Sequence, residues 1–214
     1  MRKIIGARYN FKNINTYANR GMTLEADLKA SNDYYLVNDI AVIYKKPTPI
    51  TISKVNYPSR AEAVIKEGYF KTPSTTDYNG IYKGKYIDFE AKETKLKTSF
   101  PLSNIHPHQI KHLERIYKHG GIGFLIVRFT VINKTFLLPI EILLEFLNEN
   151  ERKSIPLSFF EQNGYIIKDK YNPRVDYLEV LDNVYFGGNL WKIWKLFLKK
   201  IHLIYWYSFY HLLF

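Results

Sequence analysis

Between Tyr86 and Lys92 the chain alternates strictly: Ile87, Phe89 and Ala91 fall on one parity, and Tyr86, Asp88, Glu90 and Lys92 on the other. A two-residue period belongs to a β-strand, with one set facing a core and the other set facing away from it. A second β-like stretch, Thr75 to Tyr82, precedes it, and the intervening Lys83-Gly84 has the length of a two-residue hairpin turn. Pro107 to His119 carries Ile110, Leu113 and Ile116 at helical spacing and is stopped by Gly120-Gly121. Phe124 to Thr130 is a continuous apolar run suited to a buried strand. Phe136 to Leu138 reads as its hairpin partner, and Pro139 opens a helix reaching about Asn148.

Upstream the pattern is less regular. Met1 to about Tyr17 is basic and aperiodic, which predicts a flexible arm over 1–18. Thr23 can cap a helix that carries Leu24 and Leu28 and ends near Asn32. Tyr34 to Tyr44 is rich in β-branched and aromatic residues and predicts a strand, stopped by Lys45-Lys46-Pro47-Thr48-Pro49. The stretch that follows, to Phe70, reads as an excursion from the core. Helix, strands, helix, strand, helix in this order predict an α/β domain over 19–186 with a mixed sheet flanked by helices, and a projecting excursion over 46–70.

Composition narrows the partners. The 214 residues carry a formal charge of +11, so a large partner is expected to be polyanionic, with nucleic acid the first candidate and an acidic membrane surface the second. Cysteine is absent, which excludes disulfides, thiolate zinc sites and a cysteine nucleophile. The opening residues lack the apolar stretch of a secretory signal, so the expected compartment is the cytoplasm. Gly120-Gly121-Ile122-Gly123 lies between helix and strand, where it stops a helix and does not cradle phosphate. No phosphate-loop or nucleophile-elbow motif occurs, so the sequence offers no support for ATP-driven or serine-hydrolase chemistry.

The candidate chemistry gathers on the hairpin. A hairpin between the two strands can bring the Asp77 carboxylate to that of Glu90, and two hard oxygen ligands suit Mg²⁺, which keeps waters for a phosphate and a nucleophile. Lys92 shares the face of Glu90, where an ammonium can stabilise charge developing on a phosphate. Glu93-Thr94-Lys95 and Glu151-Arg152-Lys153 also match Glu-x-Lys, but only Glu90-Ala91-Lys92 sets its charges opposite the apolar parity. On these residues alone a solvated cross-strand charge pair remains open. His106, His108 and His112 suggest no third metal ligand and read as structural or phosphate-facing.

The segment Thr72-Pro73-Ser74-Thr75-Thr76-Asp77-Tyr78-Asn79-Gly80, followed by Lys83-Gly84-Lys85-Tyr86-Ile87-Asp88-Phe89-Glu90-Ala91-Lys92-Glu93-Thr94, closely resembles the signature of the RecU family of Holliday junction resolvases. So do Asn19-Arg20-Gly21, Lys45-Lys46-Pro47-Thr48-Pro49-Ile50, His106-Pro107-His108-Gln109-Ile110 and Arg152-Lys153-Ser154-Ile155-Pro156. The resemblance runs from about Asn19 to about Phe186. It implies a restriction-endonuclease-like fold and a homodimeric, Mg²⁺-dependent endonuclease, with Mn²⁺ able to substitute, that makes paired nicks in four-way DNA junctions during recombination and repair. It implies metal ligation by Thr75, Asp77, Glu90 and Gln109 and transition-state stabilisation by Lys92. The excursion becomes a stalk entering the junction centre, with Arg20, Lys45, Lys46, Lys54 and Arg60 on phosphates. A recombinase is a possible further partner, and no small-molecule cofactor is implied. Glu25 is a weaker candidate for an added carboxylate.

Two other readings stay open. One is a non-catalytic DNA-binding or strand-annealing protein with structural carboxylates. The other concerns the tail over 187–214, which departs from the family pattern: it is dense in Trp, Phe, Leu and Tyr, with Lys192, Lys195, Lys199 and Lys200 near one helical face. That composition suits either packing on the protein or a membrane surface.

Overall fold

The computed structural model describes residues 23–70 and 75–187. The expected arm, Arg20 and the tail beyond Gly187 lie outside the described residues. Helix α1 (Leu24–Val37) is capped by Thr23, whose side chain accepts from the Ala26 N–H. It runs five residues past the expected end at Asn32. The strand expected from Tyr34 begins only at Val42, as the short β1 (Val42–Lys45). Local β-propensity loses here because Tyr35 is buried among residues some 140 positions away, where its hydroxyl donates to the Asp176 carboxylate.

Strands β2 (Ile50–Asn56) and β3 (Val64–Phe70) pair only with each other, as an antiparallel hairpin in the place of the expected excursion. Every residue in both strands is exposed, including Ile50, Ile52, Val64, Ile65 and Phe70. Strands β4 (Tyr78–Tyr82) and β5 (Lys85–Thr94) form the expected hairpin. Lys83 and Gly84 both take positive φ, 46° and 73°, as a primed turn requires. Gly84→Ala, which would force a Cβ into that left-handed backbone, is expected to cost about 1 kcal/mol in a urea unfolding titration.

A short strand β6 (Ser99–Pro101) leads to α2 (Pro107–Lys118), then β7 (Ile122–Phe129), β8 (Lys134–Pro139) and α3 (Ile140–Glu149), all but β6 close to expectation. Four further elements follow: β9 (Ser154–Pro156), α4 (Leu157–Asn163), β10 (Tyr165–Ile167) and α5 (Tyr177–Leu181). The main sheet has the order β1-β4-β5-β7-β8-β10, and only β5 and β7 run parallel, because α2 carries the chain between them. It is the mixed sheet flanked by helices that the element order predicts.

Both faces of that sheet are covered, which is why β7 is buried along its whole length. Phe89, Phe124, Ile126 and Leu137 pack with α1 and α5, whereas Leu125, Val127, Leu138 and Leu113 pack with α2, α3 and α4. On the α1 side Tyr78, Phe89 and Phe124 stack across three strands with centroid spacings of 4.8 Å. Tyr78 immediately follows Asp77 and Phe89 immediately precedes Glu90 in sequence, so the packed ladder pins the backbone from which both carboxylates project.

A buried ion-pair cluster fastens α1 to the sheet. Arg128 Nη1 donates to Asp27 Oδ2 at 2.7 Å and its Nε donates to Thr135 Oγ1, while Arg174 Nε donates to Asp27 Oδ1.

Candidate active site

The parity of β5 is as expected. Ile87 and Phe89 enter the core beside α1, and Asp88 and Glu90 face the other way, both with no exposed surface. Glu93, on the parity of Ile87 and Phe89, lies toward α1, where its Oε1 accepts from the Leu24 N–H at 2.8 Å. That carboxylate is occupied by a helix N-terminus, which its charge complements.

Asp77 corrects one expectation: it stands one residue ahead of β4 and not on it, because the strand expected from Thr75 begins only at Tyr78. Thr75 is half-buried in the irregular lead-in, and the neighbouring Thr76 is the buried one. Asp77 is nonetheless brought to Glu90. Its backbone N–H donates to Glu90 Oε2 at 3.0 Å, and the two carboxyls are close enough to share a hydrogen bond.

Glu90 is held in an unusual electrostatic state. Burial pushes its carboxyl up to about 6, nearby Lys92 opposes that shift, and Asp77 adds to it. Lys92 Nζ lies 2.7 Å from Glu90 Oε1, yet that oxygen accepts no well-aligned hydrogen bond among the described residues. A buried carboxylate oxygen with spare acceptor capacity, beside a second carboxyl, is a donor set suited to a hard divalent cation. The described residues contain no group of three or more His, Asp or Glu side chains that could hold a metal. Mg²⁺ does not need one, since it uses one or two carboxylates and fills its octahedron with water and phosphate oxygens.

The remaining expected residues are placed as follows. Gln109 is buried at the start of α2, where its side-chain oxygen accepts from the His106 N–H at 3.0 Å. A metal would share that oxygen with a helix cap. Glu25 is exposed and paired with Lys45 Nζ. Its field, with those of Asp77 and Glu90, reaches the buried Tyr78 phenol, which is pushed up by burial first and then by these three carboxylates. Lys54 and Arg60 stand exposed on the β2–β3 hairpin. Lys46 is turned inward: its Nζ donates to Asp88 Oδ2 at 2.8 Å and to Thr76 Oγ1 at 2.9 Å.

Sequence reasoning passed over the surroundings of Asp88. Its carboxylate also receives the hydroxyls of Thr76 and Tyr86, and His112 Nε2 lies 3.1 Å away. The available signal was the Asp88 parity with Glu90. Tyr86 is its neighbour on the same strand face, but Lys46, Thr76 and His112 come from three other segments, which spacing cannot bring together. His106 and His108 stack on each other with ring centroids 5.4 Å apart.

The chain matches the family model described as Recombination protein U over residues 19–183. It is 60% identical over 173 residues to the Holliday junction resolvase RecU of Geobacillus thermodenitrificans (strain NG80-2), covering 79% of this chain and 86% of that protein. It is 54% identical over 175 residues to the protein of the same name from Bacillus cereus (strain G9842), covering 80% and 88%. The solved structure of Archaeoglobus fulgidus Hjc, a Holliday junction resolvase, aligns with 65% of this chain and 94% of its own at 11% identity and a TM-score of 0.38, a superposition too loose to weigh. The family match spans every strand of the main sheet and the projecting hairpin, and the chain belongs to the RecU family.

Proposed function

We propose that this chain is a Holliday junction resolvase: an endonuclease that hydrolyses phosphodiesters in four-way DNA junctions at a site built from Asp77, Glu90 and Lys92, with Mg²⁺ as cofactor. The observation that carries the reading is the Glu90 carboxylate, fully buried, its Oε1 without a well-aligned hydrogen bond, flanked by Asp77 and by the Lys92 ammonium. Asp77 and Glu90 would hold Mg²⁺, which would supply Lewis acidity for the scissile phosphate and a more acidic water.

The protein's own contribution is electrostatic and positional. Asp77 and Glu90 present oxygen ligands on a backbone that the aromatic ladder keeps from shifting. Lys92, whose side chain is 27% exposed, can reach from Glu90 toward a phosphate that arrives from solvent and offset the charge that grows on it. Thr75 and Gln109 complete the ligand set in this reading, Gln109 through the second lone pair of an oxygen already used as a cap.

The hairpin β2–β3 supplies the shape selectivity. Its exposed Lys54 and Arg60 suit phosphates, and its exposed apolar residues on both strands suit a second copy of the chain, because a lone two-stranded hairpin is marginal in water. A two-fold dimer would present two sites to symmetric strands, as paired incision requires. The cytoplasm is the compartment of this reading. No helix among the described residues is long and apolar enough to cross a membrane.

The test is to incubate the purified protein with a mobile four-way junction and with linear duplex, with and without Mg²⁺, and to map nicks on each strand. Paired, Mg²⁺-dependent nicks confined to the junction are expected. Junction binding with no cutting in any metal would replace this reading with a non-catalytic DNA-binding protein. In the same preparation Lys54→Ala and Arg60→Ala are each expected to lower the slope of log affinity against log salt by about one, leaving the cut positions unchanged.

A further inference from the structure

Burying a carboxylate carries a desolvation cost that partners on its oxygens offset, and the two carboxylates on this face of β5 are partnered very differently. Glu90 Oε1 accepts no well-aligned hydrogen bond and has only the Lys92 ammonium beside it, at 2.7 Å. Asp88, two residues earlier and equally buried, is surrounded: Thr76 Oγ1 donates to Oδ1, while Lys46 Nζ, Tyr86 OH and His112 Nε2 converge on Oδ2 at 2.8, 2.9 and 3.1 Å. Both Asp88 oxygens are thus engaged by neighbouring side chains, and its partners are what it organises. Two of them, Lys46 and Thr76, lie on either side of Asp77 in space. The Lys46 N–H donates to the Asp77 carbonyl at 2.7 Å, extending the β1–β4 ladder by one bond, and Thr76 precedes Asp77 in the chain. Lys46 is also the root of the projecting hairpin, four residues before β2 begins.

We propose that Lys46 and Asp88 are positioning residues for junction cleavage: their buried ion pair, with the Thr76 hydroxyl, clamps the root of the hairpin to the segment carrying Asp77 and so holds Asp77 against Glu90. The inference rests on the reading of Asp77 and Glu90 as the ligand pair. It also removes Lys46 from the set of phosphate contacts, because its ammonium is committed inward and its side chain is only 20% exposed. Without the clamp Asp77 sits ahead of its strand, tied to Glu90 only by its own backbone N–H and a shared carboxyl contact.

The two roles for Lys46 separate cleanly by experiment. Lys46→Met and Asp88→Asn are measured beside wild type and Asp77→Ala for junction affinity across salt, for kcat under saturating junction, and for the Mg²⁺ concentration giving half-maximal rise in Tm. Clamping predicts that both variants lose about 10–100-fold in kcat and need about tenfold more Mg²⁺, as loss of a partner behind a metal ligand typically does, while junction affinity and salt slope stay at wild type. Tyr86→Phe, which leaves the ion pair intact, serves if Asp88→Asn fails to fold, and should show a smaller shift of the same kind. The inference is overturned if Lys46→Met keeps wild-type kcat and Mg²⁺ requirement, or if its only defect is weaker binding with the salt slope reduced by about one, the mark of a phosphate contact. Should Asp77→Ala itself cut normally, the ligand assignment fails; a dead Asp77→Ala with a purely binding-defective Lys46→Met sinks the clamp alone.

Discussion

Glu90→Gln should abolish cutting, by about 10³-fold or more, and at the same time make the metal-free protein more stable at pH 8. The first effect follows from losing the charged ligand, since an amide keeps the shape of the side chain but offers one neutral oxygen. The second follows from the pKa. The Glu90 carboxyl is raised to about 6 from an ordinary 4.5, so the folded chain binds this proton more tightly than the unfolded chain does. Its contribution to stability is accordingly most favourable below about 4.5, declines as pH rises from there through 6, and above 6 amounts to a penalty on the order of 2 kcal/mol. Glutamine has no such titration. With chelator present, urea unfolding of the two proteins should give similar midpoints near pH 4.5 and a higher one for the variant at pH 8.

Added Mg²⁺ should then raise the wild-type midpoint and leave that of Glu90→Gln where it was, because only the charged site gains from a bound cation. Junction binding should survive, and without metal it should strengthen slightly, since a negative charge has been removed from a surface that meets phosphates. A variant less stable than wild type across the whole pH range would show that the Lys92 ion pair outweighs burial at this carboxylate. A variant that still cuts would remove Glu90 from the site.

Asp27→Ala should cost about 3–5 kcal/mol of folding free energy, the largest stability loss expected of a single polar substitution here. Asp27 is 5% exposed and receives both Arg128 and Arg174; Arg128 is itself 7% exposed, and its next acidic neighbour, Asp169, lies 3.8 Å away. Deleting the carboxylate strands a guanidinium in the interior with only the Thr135 hydroxyl as a close acceptor. The double variant Asp27→Leu with Arg128→Met should recover most of the loss, because a buried ion pair is often replaceable by apolar groups of similar volume. Urea unfolding of both variants measures this. If the double variant is as unstable as Asp27→Ala, the cost lies in packing of α1 and not in the stranded charge. Since α1 begins where Leu24 donates to Glu93 at the end of β5, a loosened α1 should also slow cutting.

These two sites differ in how far they can be read from the chain alone. Local pattern was enough for the β4–β5 hairpin, the buried strand β7, the helix opened at Pro139 and the parity that sets Glu90 and Lys92 opposite Phe89, because each depends on side-chain alternation or turn chemistry within a few residues. The ordered resemblance to the RecU signature carried the assignment of Asp77, Glu90 and Lys92 further than spacing could. What local pattern misjudged was decided by distant contacts. Tyr34 to Val37 read as strand but finish a helix, since Tyr35 is held by the Val175–Asp176 segment. Asp77 read as a strand residue but sits in the lead-in, clasped by the Lys46 backbone from one side and Glu90 from the other. Lys46 carried no sign of an acidic partner in its local sequence, and the fold supplies Asp88 from a strand 42 residues later. The sequence by itself determined the periodicities and put forward the candidate reacting groups. The tertiary structure alone decided which charges are buried together, because in a low-dielectric interior the partner of a charge is chosen by packing across the sheet and not by distance along the chain.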